Sequence, residues 1–372
     1  MKIAHVLNRL PPPSGYHEFI LANEQARDGH DVLILASDRA PQGWRGPGAT
    51  DADFADLPFD VKRLPGLGVH PFLWIPALGS ELRAFAPDVV HVHGVVHHWG
   101  LWTVARLKRQ GLIRRIVVDS HAASYNTKRM GTAGNLLRGL MLRAATAGPM
   151  RDVDALIGVS PESASFIERY GMRVTDIVVL PAVMPARVAT PRIDPDTIRI
   201  FYGGKVEPAR ELDILVRAAV RAADCVGERR LVLTLCGAGD PAFVSSLLEL
   251  AADSRLDCRH TGHLPRDAYY DELTSSDIAV WPGQVTISIQ EALSVGVPVV
   301  AADVPDIRFL AELCGGIHLC SRGDVEDFAT KLAELSVNGP TRLTLAAQAR
   351  ACAQAHLTPA AHWSRFRQFY LA

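Results

Sequence analysis

Two successive series of short apolar strands, each strand followed by a helical segment, constrain the fold of this chain more than any other feature. Most of the strands are rich in valine and isoleucine. Unbroken strands of that kind are buried on both faces, which favours a parallel sheet covered by helices. The predicted strands of the first series are KIAHVL, DVLILAS, FDVKRL, DVVHVHG, RIVVDSH, DALIGVS and IVVLPAV, and those of the second are IRIFYGG, LVLTLCGAG, LDCRHTG, DIAVWPG and PVVAAD.

A polar stretch that is repeatedly interrupted by proline separates the two series, and such a composition is typical of an interdomain linker. The chain has 372 residues, which is more than one hydrophobic core usually holds. The sequence therefore predicts two doubly wound α/β domains of similar size, residues 1–185 and 186–357, with the ligand between them. The prolines of the linker are Pro181, Pro185, Pro191 and Pro195.

Charge and hydropathy narrow the classes of partner. The formal net charge is −1, so no overall field attracts nucleic acid or a membrane. No run of eighteen apolar residues occurs, and MKIAHVLNRL lacks the long apolar core of a signal peptide, so we expect a cytoplasmic protein. Between Trp102 and Arg151, however, ten basic residues accompany one acid, Asp119. This excess suits an anionic lipid or a phosphorylated acceptor, although solvated helix faces explain it equally well.

The segment from Trp281 to Asp303 predicts an anion site. It combines the end of a strand, a glycine-containing loop and a helix that carries Glu291. Free N–H groups and the positive end of the helix dipole at such a helix start favour a phosphate. A carboxylate one turn into the helix can bind ribose hydroxyls. The segment therefore indicates a site for a nucleoside diphosphate.

Two glycine-rich loops extend this prediction. Gly203 and Gly204 end a strand, and Lys205 and Arg210 follow shortly after. Glycine allows close backbone approach, and two cations can hold a diphosphate. An ordinary strand-to-helix turn with exposed basic residues explains the same run. Gly237 opens a similar turn, but no G-x-G-x-x-G follows the first strand, which argues against a nicotinamide-dependent dehydrogenase.

Five histidines, His91, His93, His97, His98 and His121, lie close together in the sequence. No HExxH motif accompanies them, and His91 and His93 alternate on a strand so that both face one side of it. We therefore expect no metal ion. His121, at a strand end, is interpreted as a polar contact in the ligand cleft, or equally as a histidine satisfied within the core.

In their order along the chain, these segments resemble the retaining GT-B glycosyltransferases of the GT4 family, also called group 1. The resemblance covers nearly the whole chain and is strongest in SSDIAVWPGQVTISIQEALSVGVPVVAAD. It implies two Rossmann-like domains that face each other across a cleft. The first would be the acceptor-side domain, completed by a C-terminal helix at 358–372, and the second would bind the nucleotide sugar. The other segments that carry the resemblance are PPPSGYHE, GHDVLIL, PDVVHVHG, DSH, VDALIGVSPES, YGGKVEPARELDILVRA, LCGAGD and TGHLPRDAYYDEL.

The resemblance also implies roles for single residues of the second domain. Lys205 and Arg210 match the two basic residues that contact the donor diphosphate, although Arg210 stands where the family commonly has lysine. Glu291 matches the carboxylate that binds the ribose. The amides near Ile287 and Ser288 would meet the phosphates, and the glycines of the two loops above belong to the same donor site.

Two further positions and one departure complete the comparison with the family. Gly15 would lie in the loop that faces donor and acceptor, and His121 matches the histidine that touches the transferred sugar. Gly283 occupies the position of a glutamate that usually binds sugar hydroxyls, in a loop that is about three residues short. Sugar contacts would then come from Gln284, Thr286 and backbone amides, or catalysis would be impaired.

The implied reaction is metal-independent transfer of a hexosyl group, with retention, from a UDP- or GDP-type donor to a glycan acceptor. No resident cofactor is expected. The basic segment suggests a polyprenyl-diphosphate-linked acceptor and peripheral contact with the inner face of the membrane, as in cell-surface polysaccharide assembly. A catalytically silent sugar-nucleotide-binding subunit and a GT-B sugar-nucleotide epimerase stay open as alternatives. A nicotinamide oxidoreductase is the least supported.

Overall fold

The computed structural model describes residues 1–10, 17–39, 50–68, 73–95, 98–124, 127, 131–182 and 196–371. Gly15, His97 and most of the proline-rich stretch lie outside these described residues. The chain forms two compact units. The first comprises Met1–Pro181 and Pro359–Ala372, and the second comprises Ala182–Thr358.

The first unit is built on a parallel sheet in the order β3-β2-β1-β4-β5-β6-β7, which confirms the α/β prediction. Valine, isoleucine and leucine fill its central strands, and the strand residues Ile3, Val90 and Val117 are fully buried. The strands are β1 Lys2–Leu7, β2 Asp31–Ser37, β3 Asp60–Leu64, β4 Val89–His93, β5 Arg115–Ser120, β6 Ala155–Gly158 and β7 Asp176–Ile177. The helices that follow them are α1 His17–Arg27, α2 Leu78–Phe85, α3 His98–Arg109, α4 Gly131–Ala147 and α5 Pro161–Glu168.

The second unit repeats the design with a parallel sheet in the order β10-β9-β8-β11-β12-β13. Its strands are β8 Thr197–Gly203, β9 Arg230–Cys236, β10 Leu256–Gly262, β11 Ile278–Trp281, β12 Val299–Ala302 and β13 Ile317–Cys320. Its helices are α6 Leu212–Cys225, α7 Pro241–Glu249, α8 Arg266–Thr274, α9 Ile287–Val295, α10 Pro305–Leu313, α11 Val325–Val337 and α12 Gly339–Cys352. A disulfide joins Cys314 to Cys352.

The last helix, α13 (Pro359–Leu371), belongs to the first unit. Phe366 and Tyr370 are fully buried and pack with Ile3, Leu21 and Val89 in one apolar cluster. Burial of aromatic side chains of this size contributes about 1.5–3 kcal/mol each, which fixes the end of the chain to the first sheet.

Local sequence signals explain where several helices begin and end. The Ser160 hydroxyl caps α5 by accepting from the Ser163 N–H, and Pro161 occupies the first turn. The Asp240 carboxylate caps α7 in the same way. Helix α9 ends at Gly296, whose φ of 82° suits glycine.

One predicted boundary was wrong. The predicted strand IVVLPAV is reduced to Asp176–Ile177, because Pro181 has no N–H for a ladder and the Val179 carbonyl faces the His362 ring instead. Among the described residues, no helix is long and apolar enough to cross a bilayer.

The strand orders locate the expected ligand sites. In each sheet the direction of winding reverses once, between β1 and β4 in the first unit and between β8 and β11 in the second. Ligands of open α/β sheets bind at the carboxyl ends of the strands beside such a reversal. The loops after β8 and β11 are therefore the first place to search in the second unit.

Candidate functional site

The loops after β8 and β11 touch each other at the winding reversal of the second sheet. The indole Nε1 of Trp281, at the end of β11, donates to the Gly203 carbonyl, at the end of β8, over 3.0 Å. Beyond Trp281, Gly283 lies so close to the loop after β8 that an added Cβ would sit 3.0 Å from the Arg210 carbonyl oxygen. The two loops thus form one continuous backbone surface.

The loops after β8 and β9 interlock as well. The Gly204 N–H donates to the Cys236 carbonyl over 2.9 Å, and the Gly237 N–H donates to the Gly262 carbonyl over 2.9 Å. Gly237 has a φ of +146°, and a Cβ there would lie 1.7 Å from the Gly204 carbonyl oxygen. Glycine is therefore required where these two backbones cross.

The two predicted phosphate-binding cations lie in the loop after β8. Lys205 is exposed, and its carbonyl accepts from the Tyr202 hydroxyl over 2.9 Å. Burial raises the pKa of Tyr202, so this hydroxyl stays protonated as a donor. Arg210 ends a short 3₁₀ turn, Pro208–Arg210, and its Nε lies 3.5 Å from a Glu207 carboxylate oxygen. The structure thus places two cations on one loop beside the winding reversal.

Helix α9 begins at Ile287, directly after the β11 loop. The Thr286 hydroxyl caps it by accepting from the Ser288 N–H over 3.0 Å. The predicted role of the Ser288 amide at a phosphate would therefore require this cap to open. The Ile287 amide occupies the first helical position, where helices offer no carbonyl partner.

Glu291 lies one turn further along α9 and is only 6% exposed. Its Oε1 accepts from Arg266 Nη2 over 3.1 Å and from the Tyr270 hydroxyl over 3.2 Å. Burial, followed by the charge of Glu291, raises the pKa of Tyr270 and of the neighbouring Tyr269. Both phenols therefore stay protonated, and α8 and α9 hold one buried carboxylate at the carboxyl edge of the sheet.

In the first unit, His121 follows β5, and its side chain is 38% exposed. Its Nε2 lies 3.5 Å from Asp119 Oδ1. Burial opposes a charge on the ring, but the Asp119 carboxylate outweighs it, and the pKa of His121 is raised. His121 is therefore a partly accessible imidazole that binds a proton more readily than a free one.

A buried network of histidines surrounds the same aspartate. His91 and His93 face one side of β4, as predicted, with ring centroids 4.2 Å apart. Asp119 Oδ2 lies 2.7 Å from His93 Nδ1 and 2.9 Å from His17 Nε2. Burial lowers the pKa of His17 and lowers that of His91 to about 3. Sequence patterns give no signal that His17 and Asp119 belong to this network, because the two residues come from separate elements.

Comparison with known proteins decides the family. Residues 20–182 match the family described as glycosyl transferase 4-like domain, and residues 197–338 match glycosyl transferases group 1. A D-inositol 3-phosphate glycosyltransferase of Rhodococcus opacus (strain B4) is 31% identical over 366 aligned residues, which cover 90% of this chain and 80% of that protein. The chain belongs to the group 1, GT-B glycosyltransferases.

Further comparisons of this glycosyltransferase support the same family and fold. A GDP-mannose-dependent alpha-mannosyltransferase of Mycolicibacterium smegmatis is 26% identical over 349 aligned residues, covering 84% of this chain and 83% of that protein. Anabaena Alr3699/HepE, solved in complex with UDP, superposes with a TM-score of 0.71 at 16% identity, with 99% of each chain covered. The lipopolysaccharide outer core galactosyltransferase WaaB gives a TM-score of 0.67 at 14% identity, again with 99% of each chain covered. These solved structures establish the GT-B fold.

In this glycosyltransferase, Gly283 stands close to the backbone of Arg210, which restricts the side chain that the position can hold. The Cβ of any other residue would meet the Arg210 carbonyl at 3.0 Å, so the usual glutamate would require one of the two loops to shift. Gln284 is half-buried in the same loop. Thr286 is half-buried too, and its hydroxyl oxygen is already engaged in the α9 cap.

Proposed function

We propose that this glycosyltransferase moves a hexosyl group from a UDP- or GDP-type donor to a glycan acceptor, with retention at the anomeric carbon. The observation that carries the proposal is that three features of the second unit lie at one winding reversal of its sheet. These are the loop with Lys205 and Arg210, the start of α9, and the buried carboxylate of Glu291. The relatives support it, since one is named for GDP-mannose and one solved structure contains UDP.

The chemistry follows from where charge develops. As the bond to the sugar breaks, negative charge grows on the leaving diphosphate, and Lys205, Arg210 and the N-terminus of α9 are groups that stabilise such charge. Glu291 would accept hydrogen bonds from the ribose hydroxyls. We favour attack by the acceptor hydroxyl on the face that the diphosphate leaves, with a donor phosphate oxygen taking the proton of the hydroxyl. We also propose that His121 donates a hydrogen bond to the transferred sugar.

Removing either loop cation should weaken donor binding. Lys205→Ala and Arg210→Ala are each expected to lower the affinity for the nucleotide sugar by about 1–3 kcal/mol, the range for a lost charged hydrogen bond. Arg210→Lys should retain part of the affinity for the nucleotide sugar, because the charge stays while the planar guanidinium is lost. Calorimetric titration with UDP and GDP measures this. Lys331→Ala, which removes a half-buried lysine paired with Glu334, should leave the affinity unchanged. Wild-type affinity in both alanine variants would remove the loop from the donor site.

The stereochemical part of the proposal has its own test. The anomeric proton of the product, followed by NMR during turnover, should show the same configuration as the donor. An inverted product would contradict attack on the face that the diphosphate leaves.

A peripheral membrane contact is supported by the outer face of α4. Leu136, Leu137 and Leu140 are 65%, 46% and 55% exposed, although an ordinary surface helix turns such residues inward. From Ser120 to Met150 the sequence has no acid and four basic residues. An exposed apolar stripe in a segment with net positive charge is typical of helices that lie in an anionic lipid surface. We therefore propose that α4 contacts the membrane that holds a polyprenyl-diphosphate-linked acceptor, as in polysaccharide assembly.

Vesicle co-sedimentation tests this contact. The double variant Leu136→Ser/Leu140→Ser is expected to reduce partitioning onto anionic vesicles by at least about tenfold, because two leucines no longer enter the lipid. Leu343→Ser, which changes an exposed leucine of α12, is the matched control and should bind like the wild type. Vesicle binding that does not depend on the anionic lipid fraction, or that is unchanged in the double variant, would contradict the proposal.

A catalytically silent sugar-nucleotide-binding subunit is the second candidate. The close contact of Gly283 with the Arg210 backbone favours it, because the contact occupies the position from which a glutamate would reach the sugar. Such a protein would bind the nucleotide and support a partner transferase without turnover.

A further inference from the structure

Three imidazoles converge on a single carboxylate oxygen in the interior of the first unit. Asp119 Oδ2 lies 2.7 Å from His93 Nδ1, 2.9 Å from His17 Nε2 and 3.3 Å from His91 Nε2. All four side chains are buried, with exposures between 0% and 9%. None of them has a part in the transfer chemistry proposed above, so their convergence needs a separate explanation.

The hydrogen bonds on one side of this cluster lack a proton. A path runs from the Val179 carbonyl to His362 Nδ1 (3.1 Å), from His362 Nε2 to His17 Nδ1 (3.0 Å), and from His17 Nε2 to Asp119 Oδ2 (2.9 Å). Each of these three links needs one proton. Two neutral imidazoles carry only two, so one link cannot be a hydrogen bond between neutral rings and an ionised carboxylate.

The other side of the cluster has the same deficit. A second path runs from Gln25 Oε1 to His5 Nε2 (2.7 Å), from His5 Nδ1 to His93 Nε2 (2.8 Å), and from His93 Nδ1 to Asp119 Oδ2 (2.7 Å). Three links again meet two neutral rings. Protons alone would therefore require two imidazolium ions beside one buried carboxylate, which leaves an unbalanced positive charge in the core.

Turning the Gln25 amide over does not remove the second deficit. Its NH₂ group could then donate to His5, and its oxygen would accept from the Tyr370 hydroxyl. Tyr370 would in turn accept from His91 Nδ1, which lies 2.6 Å away. His91 Nε2 would then face Asp119 Oδ2, 3.3 Å away, as one acceptor beside another, so the shortage moves to His91.

We propose that a divalent metal ion of the zinc type binds among His17 Nε2, His93 Nδ1 and Asp119. Neutral imidazole and carboxylate are ligands that zinc prefers. All three side chains are buried, so an ion held by them is shielded from solvent.

A metal ion resolves both deficits at once. Its bonds to His17 and His93 take the place of the missing protons. The other nitrogen of His17 then donates to His362, which donates to the Val179 carbonyl. The other nitrogen of His93 donates to His5, which donates to Gln25, and the Tyr370 hydroxyl donates to His91 Nδ1. Each ligand thus has an outer partner that fixes its ring, as ligating histidines almost always do.

The spacing allows the ion with a small adjustment. The ligand atoms of His17, His93 and Asp119 all lie within 4.8 Å of one another. Tetrahedral zinc, with bonds of about 2.0–2.1 Å, holds its ligand atoms about 3.3 Å apart. The distances from Asp119 Oδ2 to His93 Nδ1 (2.7 Å) and to His17 Nε2 (2.9 Å) would each open by about half an ångström. Ligands from α1, β4 and β5, with outer partners on α13, make the ion a structural link within the first unit.

Metal analysis of the untagged, full-length protein tests the proposal. After dialysis, one zinc ion per chain is expected by mass spectrometry, and zinc should raise the melting temperature of the stripped protein. Titration against a chromophoric chelator should show a loss of zinc affinity of at least about 100-fold in His17→Gln and His93→Gln, because a lost ligand exceeds the 10–100-fold cost of a lost outer partner. His30→Gln, which changes a histidine outside the cluster, is the matched control and should bind like the wild type.

His362→Gln keeps the test independent of misfolding. It removes the ring that accepts from His17 Nδ1 and leaves the three ligands in place, so zinc affinity should fall by about 10–100-fold and the zinc-dependent rise in melting temperature should shrink relative to the metal-free form of the same variant. Protein that carries no zinc and shows no zinc-dependent stabilisation would overturn the proposal. Undiminished zinc binding in His93→Gln would overturn it as well, since the ion would then sit elsewhere.

Discussion

Glu291→Ala is expected to lower the affinity for the nucleotide donor by about 1–3 kcal/mol, or roughly 5–150-fold. The variant loses the proposed bond to the ribose. It also leaves Arg266 and Tyr270, which both donate to the Glu291 carboxylate, without their acceptor in a largely buried place. Because this contact acts on the bound nucleotide before and during transfer, kcat/KM should fall with affinity. Calorimetric titration with UDP and GDP, followed by turnover, measures both effects.

Two further variants separate the role of Glu291 in binding from damage to the fold. Glu291→Gln preserves the shape and one acceptor oxygen, so it should stay folded while donor affinity falls less than in the alanine variant. Glu272→Gln removes a carboxylate of α8 that pairs with Arg259 at the surface and should leave binding unchanged. Wild-type donor affinity in Glu291→Ala would show that the ribose is held elsewhere.

Gly237→Ala is expected to have the largest effect on stability, a loss of more than about 4 kcal/mol in the free energy of unfolding of the second unit. Its φ of +146° belongs to a region that side chains rarely adopt, and the added Cβ would lie 1.7 Å from the Gly204 carbonyl oxygen. The contact is with backbone, so no side chain can turn aside to relieve it. The crossing of the β8 and β9 loops would have to open.

Gly227→Ala is the matched control for Gly237→Ala. Gly227 also has a positive φ, +70°, but no atom lies within 4 Å of a Cβ built there. The expected cost is therefore only the backbone strain of about 1–2 kcal/mol. Denaturant unfolding of the two variants compares them directly, and equal losses would show that the backbone crossing does not constrain Gly237.

The parallel sheets could be predicted from sequence because burial on both faces leaves a local signal. Val90 and Val117 lie in the short strands VVHVH and RIVVDS, each of which has three valine or isoleucine residues. The predicted length of the seventh strand was wrong, because that length depends on tertiary partners. The Val179 carbonyl faces His362, 183 residues away, and a propensity argument contains no such information.

The candidate site likewise contains residues that have a local sequence signal and residues that have none. Lys205, Arg210 and Glu291 were singled out because each follows a strand end or helix start within one local motif, and their donor-binding roles stay predictions. Arg266 and Tyr270 gave no comparable signal, since their relation to Glu291 depends on how α8 packs against α9. From the sequence no metal ion is expected, because metal motifs are recognised by spacing along one element. The residues around Asp119 come from several elements.

The most direct measurement of the central claim is sugar transfer by the purified protein, with a panel of UDP- and GDP-linked sugars and a lipid extract as the source of acceptor. The proposed function predicts that one donor yields a glycosylated lipid and free nucleoside diphosphate, and that Glu291→Ala and Lys205→Ala slow both together. Tight binding of UDP or GDP without turnover of any donor would contradict it and would establish a silent sugar-nucleotide-binding subunit.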